Sequence, residues 1–252
     1  MGPRALLFLS ALILPVGAVA QPVQGLYIDL GGGANIVGDL LSANQTTKIE
    51  TNLGGLGLAD VGWSFGNGLR ADIEGSYRSN GIAGISRRRE NGGLLQLSNK
   101  TGSARTYAVM ANLKYDLPLH TLALPIQPYL GAGAGYGWLD LGSASGNGYG
   151  TLALPQGNTY IGPTSVGFGS AGAFAYQAIV GASMPLRILP GLSLTLEYRF
   201  FGTARVDVPI NRTAANTTNL VNGAVPSASS HNGFTEQDNA ILIGLRYTFG
   251  TL

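Results

Sequence analysis

The chain contains no cysteine, few charged residues and only two histidines. Asp, Glu, Lys and Arg together make up 11% of its 252 residues. The absence of cysteine excludes disulfides, thiolate metal sites and cysteine nucleophiles. Two scattered histidines do not favour a transition-metal site, so we expect neither a metal nor a cofactor. The formal net charge of +2 is too small to indicate a nucleic-acid partner.

Long apolar segments are also missing. Although 45% of the residues are hydrophobic, no run approaches the ~20 apolar residues that a transmembrane helix needs.

The N-terminus carries Arg4, a short apolar run over residues 5–14 and the small residues Ala18 to Ala20. This pattern is typical of a secretory signal peptide. We therefore predict a signal peptide over residues 1–20 and one mature domain over residues 21–252.

Glycine is abundant, with 39 residues, and polar and apolar residues alternate along several segments. In "LRADIEGSYR", residues 69–78, charged and polar side chains occupy the even positions and apolar or small residues the odd ones. Because successive side chains of a β-strand point to opposite faces, this period of two predicts strands. Eight segments carry it: 25–35, 58–65, 69–78, 105–117, 128–138, 174–184, 192–201 and 240–250.

The connections between these segments alternate in length. Three are short, at residues 66–68, 118–126 and 185–191, and four are long and rich in Gly, Asn, Ser and Thr, at residues 35–54, 79–104, 140–172 and 203–237. Short turns at one end and long loops at the other are typical of outer-membrane barrels. The sequence therefore predicts an all-β fold, an eight-stranded antiparallel up-and-down transmembrane β-barrel with short periplasmic turns and long extracellular loops.

The barrel prediction assigns a role to each face of the strands. The apolar side chains on one face of each strand would contact lipid, and the charged side chains on the other face would line the lumen. Aromatic residues near the strand ends would form interfacial girdles: Trp63, Phe65, Tyr77, Tyr115, Trp138, Tyr198, Tyr247 and Phe249. The alternative is a soluble secreted ligand-binding barrel or sandwich whose apolar parity points inward. That alternative does not explain the aromatic residues near the strand ends.

Six charged residues on the lumen parity form a candidate cluster: Asp72, Glu74, Lys114, Glu197, Arg199 and Arg246. Charges in a narrow interior are tolerated only when they are paired and hydrogen-bonded, so we expect ion pairs among them. The interior of an eight-stranded barrel is only about wide enough for side chains. We therefore expect the alternating glycines from Gly131 to Gly137 to make room for these charged groups.

The C-terminal segment "GLRYTFG" resembles the targeting signal of bacterial outer-membrane barrels. It has Gly244 followed by Tyr247 and Phe249 on the lipid parity. In that signal a glycine precedes alternate aromatic residues, and the aromatic is often the final residue, whereas here residues 250–252 follow. The resemblance implies that the barrel-insertion machinery is a partner of the chain.

The segments "GLYIDLGGGAN", "NGLRADIEGSYR", "PYLGAGAGYGW" and "FAYQAIVG" extend this resemblance over the mature chain. The chain resembles the barrel domain of the outer-membrane protein A family and its porin-like surface-antigen relatives. The resemblance implies a bacterial outer-membrane location and an internal Glu/Lys/Arg cluster that blocks or gates a narrow ion path. Glu74, Lys114, Glu197 and Arg246 are the residues that match this cluster.

These features favour a non-enzymatic protein that supports the envelope and presents surface loops, with either a static plug or a small gated ion conductance in its lumen. The enzymatic alternative is a barrel-embedded lipid A hydrolase. The segment "SSHNGFTE" supplies a nucleophile, a base and an orienting acid in Ser229, Ser230, His231 and Glu236. We expect this segment to be a solvated loop, which would not hold such groups in register.

A basic run, Arg87 to Arg89 in "ISRRRE", falls in the second predicted loop. Guanidinium groups suit phosphate oxygens, so the run is a candidate contact for lipopolysaccharide. We expect a monomer whose partners are outer-membrane lipid and lipopolysaccharide.

Overall fold

The computed structural model describes residues 24–38, 40–41, 47–88, 94–118, 125–150, 159–214 and 229–250. The predicted signal peptide at residues 1–20 and His120 lie outside the described residues. No helix in this part of the chain is long and apolar enough to cross a membrane.

The described residues form fifteen β-strands, and the predicted period of two runs through them. On the seventh strand, for example, every second side chain from Ala104 to Lys114 is buried. The strands are β1 (Gly25–Val37), β2 (Leu40–Leu41), β3 (Thr47–Thr51), β4 (Gly54–Ser64), β5 (Leu69–Arg88), β6 (Leu94–Thr101), β7 (Ser103–Asp116), β8 (Gln127–Leu141), β9 (Ala144–Gly150), β10 (Thr159–Phe168), β11 (Ser170–Pro185), β12 (Leu192–Thr203), β13 (Val206–Ala214), β14 (Ser229–Phe234) and β15 (Gln237–Thr248).

Eight strands close into a ring. Strands β1, β4, β5, β7, β8, β11, β12 and β15 pair in this order as antiparallel neighbours. The ring closes where β15 returns to β1, with Leu245 opposite Leu30. Closure leaves the ring without an unpaired backbone edge. The eight-stranded antiparallel barrel predicted from the sequence is therefore confirmed.

Short connections lie together at one end of the ring, which we call the turn end. Residues 65–68 join β4 to β5, and residues 186–191 join β11 to β12. Both turns use glycine at positive φ, where a side chain would be strained: Gly66 (78°), Gly68 (89°) and Gly191 (87°).

At the opposite end, which we call the extended end, strands continue beyond the ring. Strand β5 runs out of the ring, and its last residues pair with β3 on one side and β6 on the other. A second antiparallel sheet results, in the order β14-β13-β10-β9-β6-β5-β3-β2. In their described parts, the long connections, which we predicted as loops, are therefore largely strands. Their Gly, Asn, Ser and Thr content hides the apolar parity by which a strand is recognised in sequence.

The two faces of the ring differ as predicted. Ile73 is 54% exposed on the outer wall, whereas its neighbour Glu74 is completely buried in the lumen. The aromatic residues predicted for the girdles lie on the outer wall, with Trp63, Tyr115 and Phe249 toward the turn end and Tyr77 and Trp138 toward the extended end. This arrangement is the reverse of the soluble alternative, in which the apolar parity would be buried.

Apolar side chains fill the lumen at two levels. The first, here called the apolar belt, comprises Leu56, Leu58, Ala108, Met110, Ala175, Phe201, Ala240 and Leu242. The second, here called the extended-end core, comprises Val37, Leu40, Ile49, Ile82, Ile85, Ala104, Leu139, Leu141, Ala173, Val206, Val208 and Phe234. Both groups are buried, and the extended-end core includes side chains from ring strands and from the second sheet.

Candidate functional site

Below the apolar belt, toward the turn end, the lumen is lined by polar and charged side chains. Each ring strand contributes residues of its buried parity, so the register of the ring decides which of them meet. We call the following connected set the lumen network: Tyr27, Asp60, Asp72, Glu74, Asn112, Lys114, Tyr129, Gln177, Glu197 and Arg199. All ten side chains are buried.

Lys114 is at the centre of the acidic side of this network. Its ammonium Nζ lies 3.0 Å from Asp60 Oδ2 and 3.0 Å from Asp72 Oδ2. The side chains of all three residues are fully shielded from solvent. Two carboxylates around one ammonium offset much of the cost of taking these charges out of water.

Arg199 joins two further carboxylates. Its guanidinium pairs with Glu74, and its Nη2 lies 2.6 Å from Glu197 Oε2. Because Glu74 lies on β5 and Arg199 on β12, this contact crosses the lumen. A planar guanidinium presents several donors in a fixed geometry, which suits a position between two carboxylates.

Neutral side chains complete the network. Asn112 Nδ2 donates to Asp72 Oδ1 at 2.7 Å and to Glu74 Oε2 at 3.0 Å, so it connects the Lys114 and Arg199 groups. Gln177 Nε2 donates to Asn112 Oδ1 at 2.6 Å. Two buried tyrosine hydroxyls also donate to carboxylates of the network, Tyr27 to Asp72 Oδ2 at 2.6 Å and Tyr129 to Glu197 Oε1 at 2.5 Å.

Glycines on β8 make the room that these side chains occupy. A Cβ on Gly131 would lie 2.9 Å from Lys114 Cγ, and a Cβ on Gly133 would collide with the Asn112 carboxamide. Both Cβ atoms would therefore lie closer to their neighbours than normal van der Waals contact allows. The predicted role of the alternating glycines is confirmed at these two positions.

Of the six charged residues predicted for the lumen cluster, the structure brings five together. Asp72, Glu74, Lys114, Glu197 and Arg199 belong to the lumen network. Arg246 is also buried, but it lies nearer the turn end, where its Nη2 donates to Ser183 Oγ at 3.0 Å. The turn end also holds an ion pair between Arg70 Nη2 and Asp116 Oδ1 at 2.6 Å, in which the arginine is buried and the aspartate is partly exposed.

A second polar group lies above the apolar belt, near the extended end. Arg78 stacks over the Phe201 ring with its Cζ 3.9 Å from the centroid, and its Nε lies 3.5 Å from Asp238 Oδ2. Beside it, Thr106 Oγ1 donates to both carboxylate oxygens of Glu236, at 2.7 and 2.9 Å. Burial raises the pKa of the Glu236 carboxyl above its ordinary value.

Carboxylates of Asp60, Asp72 and Glu74 come close enough to one another to hold a cation, with ligand atoms within 4.8 Å. The Lys114 ammonium already lies between two of them. The arrangement is therefore satisfied by a side chain of the protein itself.

The segment considered for hydrolase chemistry is not a loop. Ser229, Ser230 and His231 lie on β14, paired with β13; the expectation of a loop is wrong at these positions, because the alternation is too short to recognise. Glu236 is buried inside the barrel, where its backbone N–H also donates to Thr203 Oγ1 at 3.2 Å.

The sequence analysis also singled out the basic run that begins with Arg87 and the C-terminal residues Gly244, Tyr247 and Phe249. Arg87 and Arg88 are the last residues of β5, not loop residues, and Arg89 lies outside the described residues. Gly244 is buried on the lumen side of β15, where a Cβ would lie 2.6 Å from Thr195 Oγ1. The Tyr247 and Phe249 rings meet edge to face, with centroids 4.7 Å apart.

Sequence reasoning missed several buried polar residues of the lumen, both inside and outside the lumen network. Asp29 and Asp60 share the lumen parity of β1 and β4 and are both buried, so the signal was present but was not used. Asn112 and Gln177 are uncharged, and only the register shows that they connect the carboxylates. The Arg78–Asp238 pair joins residues 160 positions apart and carries no local signal.

The chain is similar in sequence to a curated protein. A curated protein described as an outer membrane protein, from Gluconacetobacter diazotrophicus, is 35% identical over 251 residues. The alignment covers 94% of this chain but 61% of that protein, so the chain spans less than two thirds of its relative's length.

Two solved structures are similar in fold. Neisserial surface protein A matches at 13% identity with a TM-score of 0.48, over 89% of this chain and 97% of that one. The outer membrane protein OprG from Pseudomonas aeruginosa matches at 13% identity with a TM-score of 0.46, over 91% and 98%. Neither likeness bears on function.

The family model of the outer membrane protein beta-barrel domain matches residues 5–249, almost the whole chain. The closed ring, its exposed apolar wall and its buried charged lumen are the features that such a domain requires. The chain therefore belongs to the outer membrane protein beta-barrel family and is a protein of the bacterial outer membrane.

Proposed function

We propose that this outer-membrane protein is a non-enzymatic scaffold whose lumen is closed by its own side chains. It contributes to the mechanical integrity of the envelope and presents its extended end to the surroundings. The observation that supports this most directly is the filling of the lumen at successive levels: the lumen network, the apolar belt, the Arg78 group and the extended-end core.

The order of these levels can be followed along single strands. On β15 the buried side chains run from Arg246 through Leu242 and Ala240 to Asp238. An ion that passed the lumen network would next meet apolar side chains, which offer it no hydrogen bonds. This order favours a static plug over a conducting path.

The buried charges also support a structural role. Among the described residues the lumen buries seven carboxylic and five cationic side chains: Asp29, Asp60, Asp72, Glu74, Glu197, Glu236 and Asp238, with Arg70, Arg78, Lys114, Arg199 and Arg246. Lys114 and Arg199 each contact two carboxylates. Shared pairs of this kind hold several strands together at once.

The hydrolase alternative receives no support from the position of its acid. Glu236 is buried and its carboxylate accepts hydrogen bonds from Thr106. In a catalytic triad the acid would instead orient the histidine. The predicted partners remain part of the proposal: the insertion machinery at Gly244, Tyr247 and Phe249, and lipopolysaccharide at the run that begins with Arg87.

The proposal is tested in a strain that lacks the protein. We expect that strain to be more sensitive to detergent, and we expect complementation with the wild-type protein or with His231→Ala to restore resistance equally. The lipid A mass profile should be identical in all three strains. A change in that profile that depends on His231 would instead establish the hydrolase.

A further inference from the structure

The outer wall of the ring is indented on one side. A groove of about 420 Å³ lies across β4, β5, β7 and β8. Its floor contains Gly57 and Gly75, and no atom lies within 4 Å of the position that a Cβ would take on either glycine. The space above these two glycines is therefore open toward the surroundings.

Aromatic side chains form one side of the groove. The register places Gly57, Tyr77, Tyr107 and Trp138 in one row across the four strands. The Tyr77 and Tyr107 rings lie 5.0 Å apart between centroids. The adjacent row toward the turn end holds Ala59, Gly75, Val109 and Tyr136. The groove is thus apolar, bounded by rigid rings and floored by small residues.

The groove lies in the outer half of the membrane-spanning wall. Tyr77 is eight residues beyond Leu69, which begins β5 at the turn end. At ~3.3 Å per residue and a strand tilt of ~40°, Tyr77 stands roughly 20 Å above the turn end. An apolar band is ~25 Å tall in such barrels. An outward-facing groove at this height is surrounded by the acyl chains of the outer leaflet.

The Arg105 guanidinium lies at the end of the groove that is nearer the extended end. The row above the aromatic residues consists of Gly55, Ser79, Arg105 and Asp140. Arg105 is exposed, and its guanidinium suits a phosphate group. Asp140, half-buried on β8, disfavours an anion on its own side, so a phosphate would lie over β5, beside Ser79.

We infer that this groove binds a phosphorylated lipid of the outer leaflet, with one acyl chain over Gly57 and Gly75 and the phosphate against Arg105. The site is separate from the run that begins with Arg87. It does not depend on whether the lumen conducts ions or on the proposed scaffold role, because it uses only the outer wall.

The test uses the folded full-length mature protein in detergent, incubated with defined lipids and analysed by native mass spectrometry. The lipids are diphosphorylated lipid A and, for comparison, phosphatidylethanolamine. Gly75→Leu fills the groove, and its matched control is Gly32→Leu, the same change at an exposed position on β1 where the nearest atom is 3.6 Å from the Cβ position. Heat-modifiable gel mobility verifies that each variant is a closed barrel.

The phosphate contact is tested separately. Arg105→Gln removes the cation at the upper end of the groove, and Arg187→Gln removes an exposed cation in a turn at the opposite end of the barrel. Because a hydrogen bond to a charged group contributes about as much as a tenfold change in affinity, we expect Arg105→Gln to weaken lipid A retention by about tenfold. Arg187→Gln should leave retention unchanged.

We expect one retained lipid A per wild-type barrel, its loss in Gly75→Leu and its persistence in Gly32→Leu. Equal retention by Gly75→Leu and Gly32→Leu would overturn the assignment of the acyl chain to the groove. Because phosphatidylethanolamine also carries a phosphate, its retention at the level of lipid A would overturn the assignment to a lipid of the outer leaflet. No effect of Arg105→Gln would overturn the role of Arg105. A dimer that Gly75→Leu abolishes would identify a second copy of the chain as the occupant and overturn the inference.

Discussion

Lys114 Nζ lies 3.0 Å from Asp60 Oδ2, although strand β5 separates β7, which carries the lysine, from β4, which carries the aspartate. Both side chains are completely buried. The contact therefore joins two strands that share no backbone hydrogen bonds. It shows how charged side chains in a narrow lumen stabilise the barrel in addition to the backbone pairing of the wall.

Replacement of Lys114 by methionine should strongly destabilise the barrel. Lys114→Met leaves Asp60 and Asp72 buried without their cation. Removal of one partner of a buried pair typically lowers the free energy of unfolding by ~3–5 kcal/mol. Urea unfolding of the protein in lipid vesicles measures the change.

The control for Lys114→Met is the same substitution in an exposed ion pair. Lys48 lies 3.0 Å from Glu50, and these side chains are 39% and 50% exposed. Lys48→Met should cost only ~0–1 kcal/mol, as exposed pairs do. Similar losses in the two variants would contradict the role given to Lys114.

The face assignment predicts a cost for lysine on the outer wall. Ile73 is 54% exposed on the outer wall and lies four residues beyond Leu69, which begins β5 at the turn end. Ile73→Lys should oppose insertion by ~2–4 kcal/mol, because the ammonium would lie near the midplane of the membrane. Ile188→Lys, in a turn where the side chain is 86% exposed, should insert like the wild type. Folding yield into vesicles, followed by gel mobility, distinguishes the two; equal yields would contradict the assignment.

The glycines of β8 should not tolerate a methyl group in the lumen. A Cβ on Gly133 would collide with the Asn112 carboxamide, which accepts a hydrogen bond from Gln177. We expect Gly133→Ala to lower the free energy of unfolding by ~1–3 kcal/mol, the usual effect of overpacking. Gly57→Ala faces open space and should be neutral. If Gly133→Ala and Gly57→Ala unfolded at the same urea concentration, the lumen around Gly133 would have room for a methyl group, which contradicts the prediction.

Glu236 should make stability depend on pH. Because burial raises its pKa above the ordinary value of 4.5, the folded state favours the protonated carboxyl. The Glu236 carboxyl therefore contributes its full share of the free energy of unfolding below pH ~4.5. This contribution is lost, at up to ~1.4 kcal/mol per pH unit, as the pH rises through the pKa of the folded state. The stability of the wild type relative to Glu236→Gln should thus fall with rising pH, as urea unfolding at several pH values can measure. A constant difference between them would refute this account.

The ring could be predicted from the sequence because its strands alternate cleanly. On β7 and β15 the exposed and buried faces differ at nearly every residue, and the length of the connections fixed the order of the strands. The second sheet could not be predicted in the same way. Strand β9, with the sequence "ASGNGYG", contains no alternating apolar residues and is identified only by its pairing with β6 and β10. On β13, Val206 and Val208 occupy alternate positions and are buried, but this alternation covers too few residues to predict a strand.

For the lumen, the parity identified which side chains face inward but not which of them meet. Glu74 and Arg199 are 125 residues apart, and their contact depends on the curvature of the whole ring. Arg246 shares the parity of the cluster but lies at another height, beside Ser183. Height within a barrel follows from register and tilt, which single segments do not encode.

Single-channel recording in planar bilayers tests the closed lumen most directly, with wild type and Glu74→Ala compared and the closed barrel verified by gel mobility. The account predicts no discrete current steps from either protein, because the apolar belt and the extended-end core remain when Glu74 is removed. Discrete steps from the wild type whose size changes in Glu74→Ala would contradict it and would establish a charge-gated pore.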